Sequence, residues 1–346
     1  MEMDTLNDGN TGFFVRMVCF LLLLFLVLSG LAHVLTPNVD RDALWNVYTS
    51  LPPDTVQVVA IGTSKIHANM NPAIIWDEAR ITSYCLSGSS MDLQTSYYYL
   101  DEAYRSGQNP TVVIIEPLMV SNDNYALTPV QKRNIISLPV YTRIRAVTSI
   151  LPAHEWTDWI SRLLQYRNRL FTNDAMITQD DYRLNKFDER PEIIMGYRFS
   201  AKTKPMEQNR NPRAIDEEQY RVNYPMMKKL IELALSHDSE VIVIDMPDAN
   251  RSVMSLYNAR LSRDLIQDGI SVRYYSADDY LDGIKLDFDT DFYDSQHLNY
   301  HGGEKLSRWL ANELSAYDIP RASDMDITAY ERALEKYQNL VDTSVD

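Results

Sequence analysis

Cysteine is almost missing from this chain: 346 residues hold two, Cys19 inside an apolar N-terminal run and Cys85 far from it, so no intradomain disulfide is expected. Clustered positive charge is missing as well. Lys and Arg total 33 against 48 Asp and Glu, the formal net charge is -15, and no Lys/Arg-rich run occurs. Binding to nucleic acid needs clustered cations against phosphates, so no nucleic-acid partner is expected. There is no cysteine cluster and no Gly-x-x-x-x-Gly-Lys loop, so neither a metal nor a nucleotide cofactor is expected. The acidic string Asp287, Asp289, Asp291, Asp294 lacks the central glycine and terminal glutamate of a calcium loop. Internal repeats and low-complexity tracts are also lacking.

What is present begins with hydrophobicity. From Met17 to Leu35 the chain is almost wholly apolar, and roughly 20 such residues cross a hydrocarbon core. The reading is a leader over 1–16, a transmembrane anchor over 17–35 and a juxtamembrane spacer over 36–53, where Pro37, Pro52 and Pro53 oppose a continuous helix. Gly30 and Ala32 would suit a cleaved signal peptide, but the run is long for one and no basic cluster precedes it. Arg16 and Arg41 flank the run almost symmetrically, so charge alone does not orient it.

A folded domain is expected over 54–320, with 45% hydrophobic content in the chain to build its core. Val56–Ile61 is a short run rich in β-branched residues, the pattern of a buried parallel strand. A helix over Pro72–Ala79, a strand over Ile81–Leu86, a helix over Leu93–Ser106 and a strand over Val112–Glu116 follow. After an irregular insertion over 121–213, read as a cap on the catalytic face or a plain appendage, alternation resumes. It runs through helix Asp216–His237, strand Val241–Ile244, helix Val253–Gln267, strand Val272–Tyr275 and helix Gly302–Tyr317, and a helical tail occupies 321–346. Alternation of this kind predicts an α/β fold, a three-layer sandwich around a parallel sheet of about five strands.

Two constellations carry chemistry. Ser64 follows the first strand through Gly62-Thr63, on a tight turn that opens a helix, where α/β folds present a nucleophile and where free amides receive an oxyanion. Asp294 and His297 lie three residues apart just before the last helix of the domain. A serine hydroxyl needs an imidazole to take its proton, and that imidazole needs a carboxylate to fix its tautomer. Taken singly, Ser64 reads as a turn or N-cap serine, and His297 as a surface histidine. Their order along the chain makes the pair informative.

Those residues resemble the SGNH (GDSL-like) hydrolase superfamily, in particular its membrane-tethered bacterial branch that includes the D-alanine transfer protein of teichoic acid modification and alginate-type O-acetyltransferases. The resemblance covers roughly 54–116 and 217–317. It implies a catalytic Ser64, Asp294 and His297, with the Ser64 amide and Gly88, in Leu86-Ser87-Gly88-Ser89-Ser90, lining the oxyanion hole. It departs from the family at Glu116-Pro117-Leu118, where an asparagine is usual; Asn122 or Asn124 are the candidates to replace it. It also implies an extracytoplasmic domain that moves acyl groups on a cell-envelope polysaccharide or teichoic acid, with a membrane-bound O-acyltransferase as a partner. The alternatives are a noncatalytic envelope-assembly protein of the same fold and a soluble intracellular esterase. His67 is expected to face solvent, His301 to start a helix, and Tyr97, Tyr98 and Tyr99 to serve as core and interface aromatics.

Overall fold

The computed structural model describes residues 5–35, 40–122, 127–160, 193–207, 212–249, 254–320 and 327–345. The chain divides into two units, Met1–Val39 with Leu151–Asn185, and Asp40–Ile150 with Lys186–Asp346.

In the first unit, α1 (Thr5–Leu35) takes in the described part of the leader and the apolar run. Its stretch Gly12–Leu31 has a mean hydropathy of 2.6 and no buried residue, long and apolar enough to cross a membrane.

The second unit opens with α2 (Asp40–Tyr48), a short helix within what was expected to be a juxtamembrane spacer. The prolines flank it rather than break it, and Leu44, Trp45 and Tyr48 supply a buried stripe. Trp45 packs edge-on against Tyr99, and Tyr84 Oη donates to the Leu44 carbonyl. The folded unit therefore starts at Asp40 and not near Asp54.

A sheet of five parallel strands follows: β1 (Val58–Gly62), β2 (Ser83–Ser87), β3 (Val112–Ile115), and, after the insertion, β6 (Glu240–Ile244) and β7 (Arg273–Tyr275). Their order is β2-β1-β3-β6-β7, with Gly62 in register with Ser87 and Ile61 with Ile115. Every residue of β1, β2 and β3 is buried, which explains their continuous rather than alternating hydrophobicity. The strand order reverses between β1 and β3, so a crevice is expected beyond the carboxyl ends of those two strands.

Besides α2, five helices precede the insertion in this unit or lie in its first part: α3 (Ser64–Asn69), α4 (Pro72–Ala79), α5 (Leu93–Arg105), α6 (Pro129–Ser137) and α7 (Val140–Ile150). Over 129–150 the insertion is thus helical where an irregular segment was expected. The sequence carries the reason: Thr128 and Gln131 form a capping box, and Pro129 occupies the first helical turn. A short α8 (Trp156–Ile160) belongs to the first unit, and residues 161–192 of the insertion lie outside the described residues. A hairpin of β4 (Ile193–Ile194) and β5 (Tyr197–Arg198) returns the chain. The hairpin packs beside α3 and lays Gly196, at φ +80°, directly on the Cys85 carbonyl, an approach that a side chain would block.

The remaining helices are α9 (Glu217–Leu235), α10 (Ser255–Gln267), α11 (Ala277–Ile284), α12 (Tyr300–Leu314) and α13 (Ile327–Val345). The α4 helix packs on α12 and α13, and α5 packs on α9 and α7. The tail belongs to the folded unit: Tyr330, Ala333, Leu334 and Tyr337 of α13 are buried, and Tyr330 Oη donates to the Ser83 carbonyl.

Candidate active site

The β1 strand ends at Gly62, Thr63 caps α3, and Ser64 is the first residue of that helix. Gly62 is required there by close approach: a Cβ would lie 2.6 Å from both Cβ and Oε2 of Glu116. Being in the first helical turn, the Ser64 amide belongs to the set of N–H groups that a helix leaves without an internal acceptor.

Asp294 and His297 arrive on a loop pinned at its base. Phe292 and Leu298, both buried, form an antiparallel bridge, and the Tyr293 amide donates to the His297 carbonyl at 3.1 Å. Within it, Asp294 Oδ1 accepts the amides of Gln296 at 2.8 Å and His297 at 3.0 Å, and the His297 Nδ1 lies 2.8 Å and 2.9 Å from its two oxygens. One carboxylate three residues before a histidine therefore folds the turn and fixes the ring. A carboxylate only accepts, so Nδ1 carries the proton and Nε2 is left as an acceptor. That Nε2 lies 2.7 Å from Ser64 Oγ. Tyr293 stacks on the imidazole at 5.3 Å and 7°, closing one face of the ring.

Ser64 and the Asp294–His297 pair, more than two hundred residues apart, thus meet in one hydrogen-bonded line. The His297 side chain is 15% exposed and that of Asp294 44%, so the carboxylate end is open to water while the serine end is sheltered.

No known protein family, no curated protein and no solved structure matches this chain.

Gly88 departs from its expected role. Its N–H donates to the Gly62 carbonyl at 3.2 Å, continuing the strand ladder, so it does not stand open as an oxyanion donor. Asn122 ends a 3-10 turn over Pro117–Ser121, where its carbonyl accepts from Asn223 Nδ2 at 2.8 Å; Asn124 lies outside the described residues. The Asn134 side chain packs directly on Gly88 and donates from Nδ2 to the Ser89 carbonyl at 3.1 Å. It was missed because it falls in the insertion, where the sequence offered no register to the strands.

His67 is half-buried rather than solvent-facing. It sits one turn beyond Ser64 on α3, and its Nδ1 is 3.0 Å from Ser87 Oγ. His301 is exposed in the first turn of α12, Tyr99 is core, and Tyr97 and Tyr98 are half-buried.

Glu116, which stands where an asparagine was expected, holds the turn that carries Ser64. Its Oε2 accepts from the Thr63 amide at 2.7 Å and from Thr63 Oγ1 at 2.8 Å. It is wholly buried, which raises its pKa, and Lys65 opposes that rise. Lys65, next to Ser64, is itself buried and pairs with Asp248 at 2.6 Å. Burial works to lower the Lys65 pKa, but Asp248, Asp245 and Glu116 together leave it raised. On the other side of α3, Asn69 Oδ1 accepts from the Leu298 amide at 2.9 Å and its Nδ2 donates to the Pro247 carbonyl at 3.2 Å, tying the helix to the histidine loop. The Ala249 amide donates to the Ser295 carbonyl at 2.9 Å, a second strap on that loop. These were illegible in sequence because each bridges distant segments.

Two expectations follow. Glu116→Ala leaves two Thr63 donors without their acceptor, costing about 1–3 kcal/mol of stability. It also loosens Ser64, so that any ester turnover through Ser64 falls about 10–100-fold. Glu116→Gln, which keeps one acceptor, should lose less of both. Urea unfolding and ester turnover check this, and an Ala variant unchanged in both would remove Glu116 from the positioning role.

Asp245 supplies a pH signature. Burial pushes its pKa up to about 6, with Lys65 and the Asn258 amide, 2.7 Å away, restraining the rise. In the unfolded chain an aspartate titrates near pH 3.9, so the native state binds more protons between roughly pH 4 and 6. Ionising Asp245 therefore costs stability, nothing below about pH 4 and the full amount above about pH 6. Relative to wild type, Asp245→Asn should gain about 2–3 kcal/mol between pH 4 and pH 7, the two-unit offset at 1.36 kcal/mol per unit. Paired urea titrations at the two pH values measure it; a wild-type-to-variant difference independent of pH would contradict the burial argument.

Proposed function

We propose that this chain is a serine hydrolase or acyltransferase of SGNH type with a three-layer sandwich fold, tethered to a membrane by α1 and acting on esters of a cell-envelope polymer. The observation that carries the reading is His297 Nε2 at 2.7 Å from Ser64 Oγ with Asp294 on the far ring nitrogen. An apposition of this kind at the switch point of a parallel sheet suits general-base activation of a hydroxyl.

In the proposed cycle, Ser64 Oγ attacks the ester carbonyl as its proton passes to His297 Nε2. The Ser64 amide is one donor to the tetrahedral oxyanion. Collapse breaks the bond to the leaving alkoxide, which takes the proton from His297, and the acyl group remains on Ser64. A water or a sugar hydroxyl then attacks the acyl-enzyme, losing its proton to His297, and release of the acyl product returns that proton to Ser64. Asp294 compensates the imidazolium in both halves. A polysaccharide or teichoic acid acceptor, a membrane-bound O-acyltransferase that hands over the acyl group, and an extracytoplasmic site rest on the resemblance to the tethered SGNH branch.

One observation favours a second reading, a noncatalytic envelope-assembly protein that binds glycan or the acyltransferase: the Gly88 amide is committed to the Gly62 carbonyl, and glutamate replaces the usual asparagine at 116. The test is acetyl-ester turnover by the purified full chain, with and without a sugar acceptor. Turnover with an acyl-enzyme intermediate is the result expected, and acetylated sugar marks transfer over hydrolysis. Binding of glycan with no turnover of any ester would favour the second reading.

A further inference from the structure

We infer that the exposed face of α6 and α7 is a membrane-docking surface that lays the folded unit on anionic lipid headgroups. The inference rests on the proposal that α1 is a membrane anchor.

The chain has 48 acids, yet none occurs between Asp123 and Glu155, while Lys132, Arg133 and Arg145 fall in that interval beside a buried fourth cation, Arg143. The structure turns this stretch into two helices whose outward side is apolar at Val140, Tyr141 and Ile144, which are 60%, 59% and 40% exposed. Arg105 of α5 stacks over the Tyr141 ring at 4.3 Å, and Arg145 lies 5.7 Å from the same ring. Arg145 also pairs with Asp101, and Glu102 lies 3.9 Å from Arg105, so acids of α5 temper this charge without cancelling it. Aliphatic and tyrosine side chains interleaved with arginines are the composition of an interfacial helix, which buries its apolar side at the headgroup level and meets anionic lipid with its cations.

Chain length supplies the second argument. Between the end of α1 at Leu35 and the start of α2 at Asp40 there are only four residues, a reach of roughly 18 Å even when fully extended. Where α1 spans a bilayer, α2 must enter the folded unit close to the headgroups. The α2 helix packs on α6, and α6 on α7, so the layer that the tether enters is the one bearing the acid-free face. A bilayer bearing anionic lipid is therefore the occupant that both charge and tether select.

The test uses the full chain with Cys19→Ala, since Cys85 is buried, and one fluorophore-labelled cysteine, at Ile144→Cys or at Ile266→Cys on α10. Ile266 is the more exposed site, at 72%, so simple accessibility would favour it. Each protein is placed in nanodiscs of brominated phosphatidylcholine with phosphatidylglycerol. The label at 144 should be quenched at least about twofold more than that at 266, with the difference lost on Arg105→Glu with Arg133→Glu or at high salt. Equal quenching, or stronger quenching at 266, in a chain that co-elutes with nanodiscs overturns the docking face and leaves the anchor standing. A chain that does not co-elute with nanodiscs overturns the anchor, and the docking face with it.

Discussion

Ser64→Ala is expected to reduce kcat for ester cleavage on the order of 10⁴–10⁶-fold while leaving the fold intact. The size follows from chemistry: every covalent step in the proposed cycle passes through Ser64 Oγ, and water admitted in its place would lack the geometry set by the 2.7 Å contact with His297. The fold should survive because Ser64 is only half-buried and the cap of α3 is Thr63, not the nucleophile. Steady-state kinetics with circular dichroism and thermal unfolding on the same preparation measure both halves. An alanine variant within tenfold of wild type would mean that ester cleavage, if present, uses another group.

The second large effect is expected at Asp294. Asp294→Asn should lower kcat about 10²–10⁴-fold with little change in KM. An amide can turn its NH2 toward His297 Nδ1, and the ring then presents Nε2–H to Ser64 and cannot accept its proton. The 44% exposure of Asp294 places the effect below that of the serine, because water can partly replace a half-open carboxylate. The backbone role should be spared, since an asparagine oxygen still accepts the amides of Gln296 and His297. A kcat loss under threefold would show that the imidazole does not depend on this carboxylate.

Much of this arrangement was legible in the chain, and the limits have physical causes. Strands β1 and β3 read as β-branched runs because burial on both faces leaves them no polar side, and each strand of the sheet was placed within a residue or two of its observed position. Asp294 and His297 were legible because their contact is local: three residues of one turn suffice to set it. Their meeting with Ser64 was inferred from order along the chain, and the parallel topology brings it about. Glu116, Asn69 and Asn134 were not read, because their partners, Thr63, Leu298 and Gly88, lie across segments whose register only folding sets. The α2 helix is hard to read in the sequence because the prolines at 37, 52 and 53 flank it closely and only Leu44, Trp45 and Tyr48 mark its buried stripe. The helices at 129–150 were missed because four cations and exposed aliphatics blur the usual two-sided pattern. If that face lies on lipid, the blurring is itself the mark of a third solvent.

The central claim is that His297 activates the hydroxyl of Ser64 for attack. Reaction of the full chain with a fluorophosphonate, followed by mass spectrometry of the digested protein, tests it most directly. The account predicts a single phosphonyl adduct on Ser64, lost in His297→Ala. An adduct on another serine, or none on a chain shown to be folded, would contradict it.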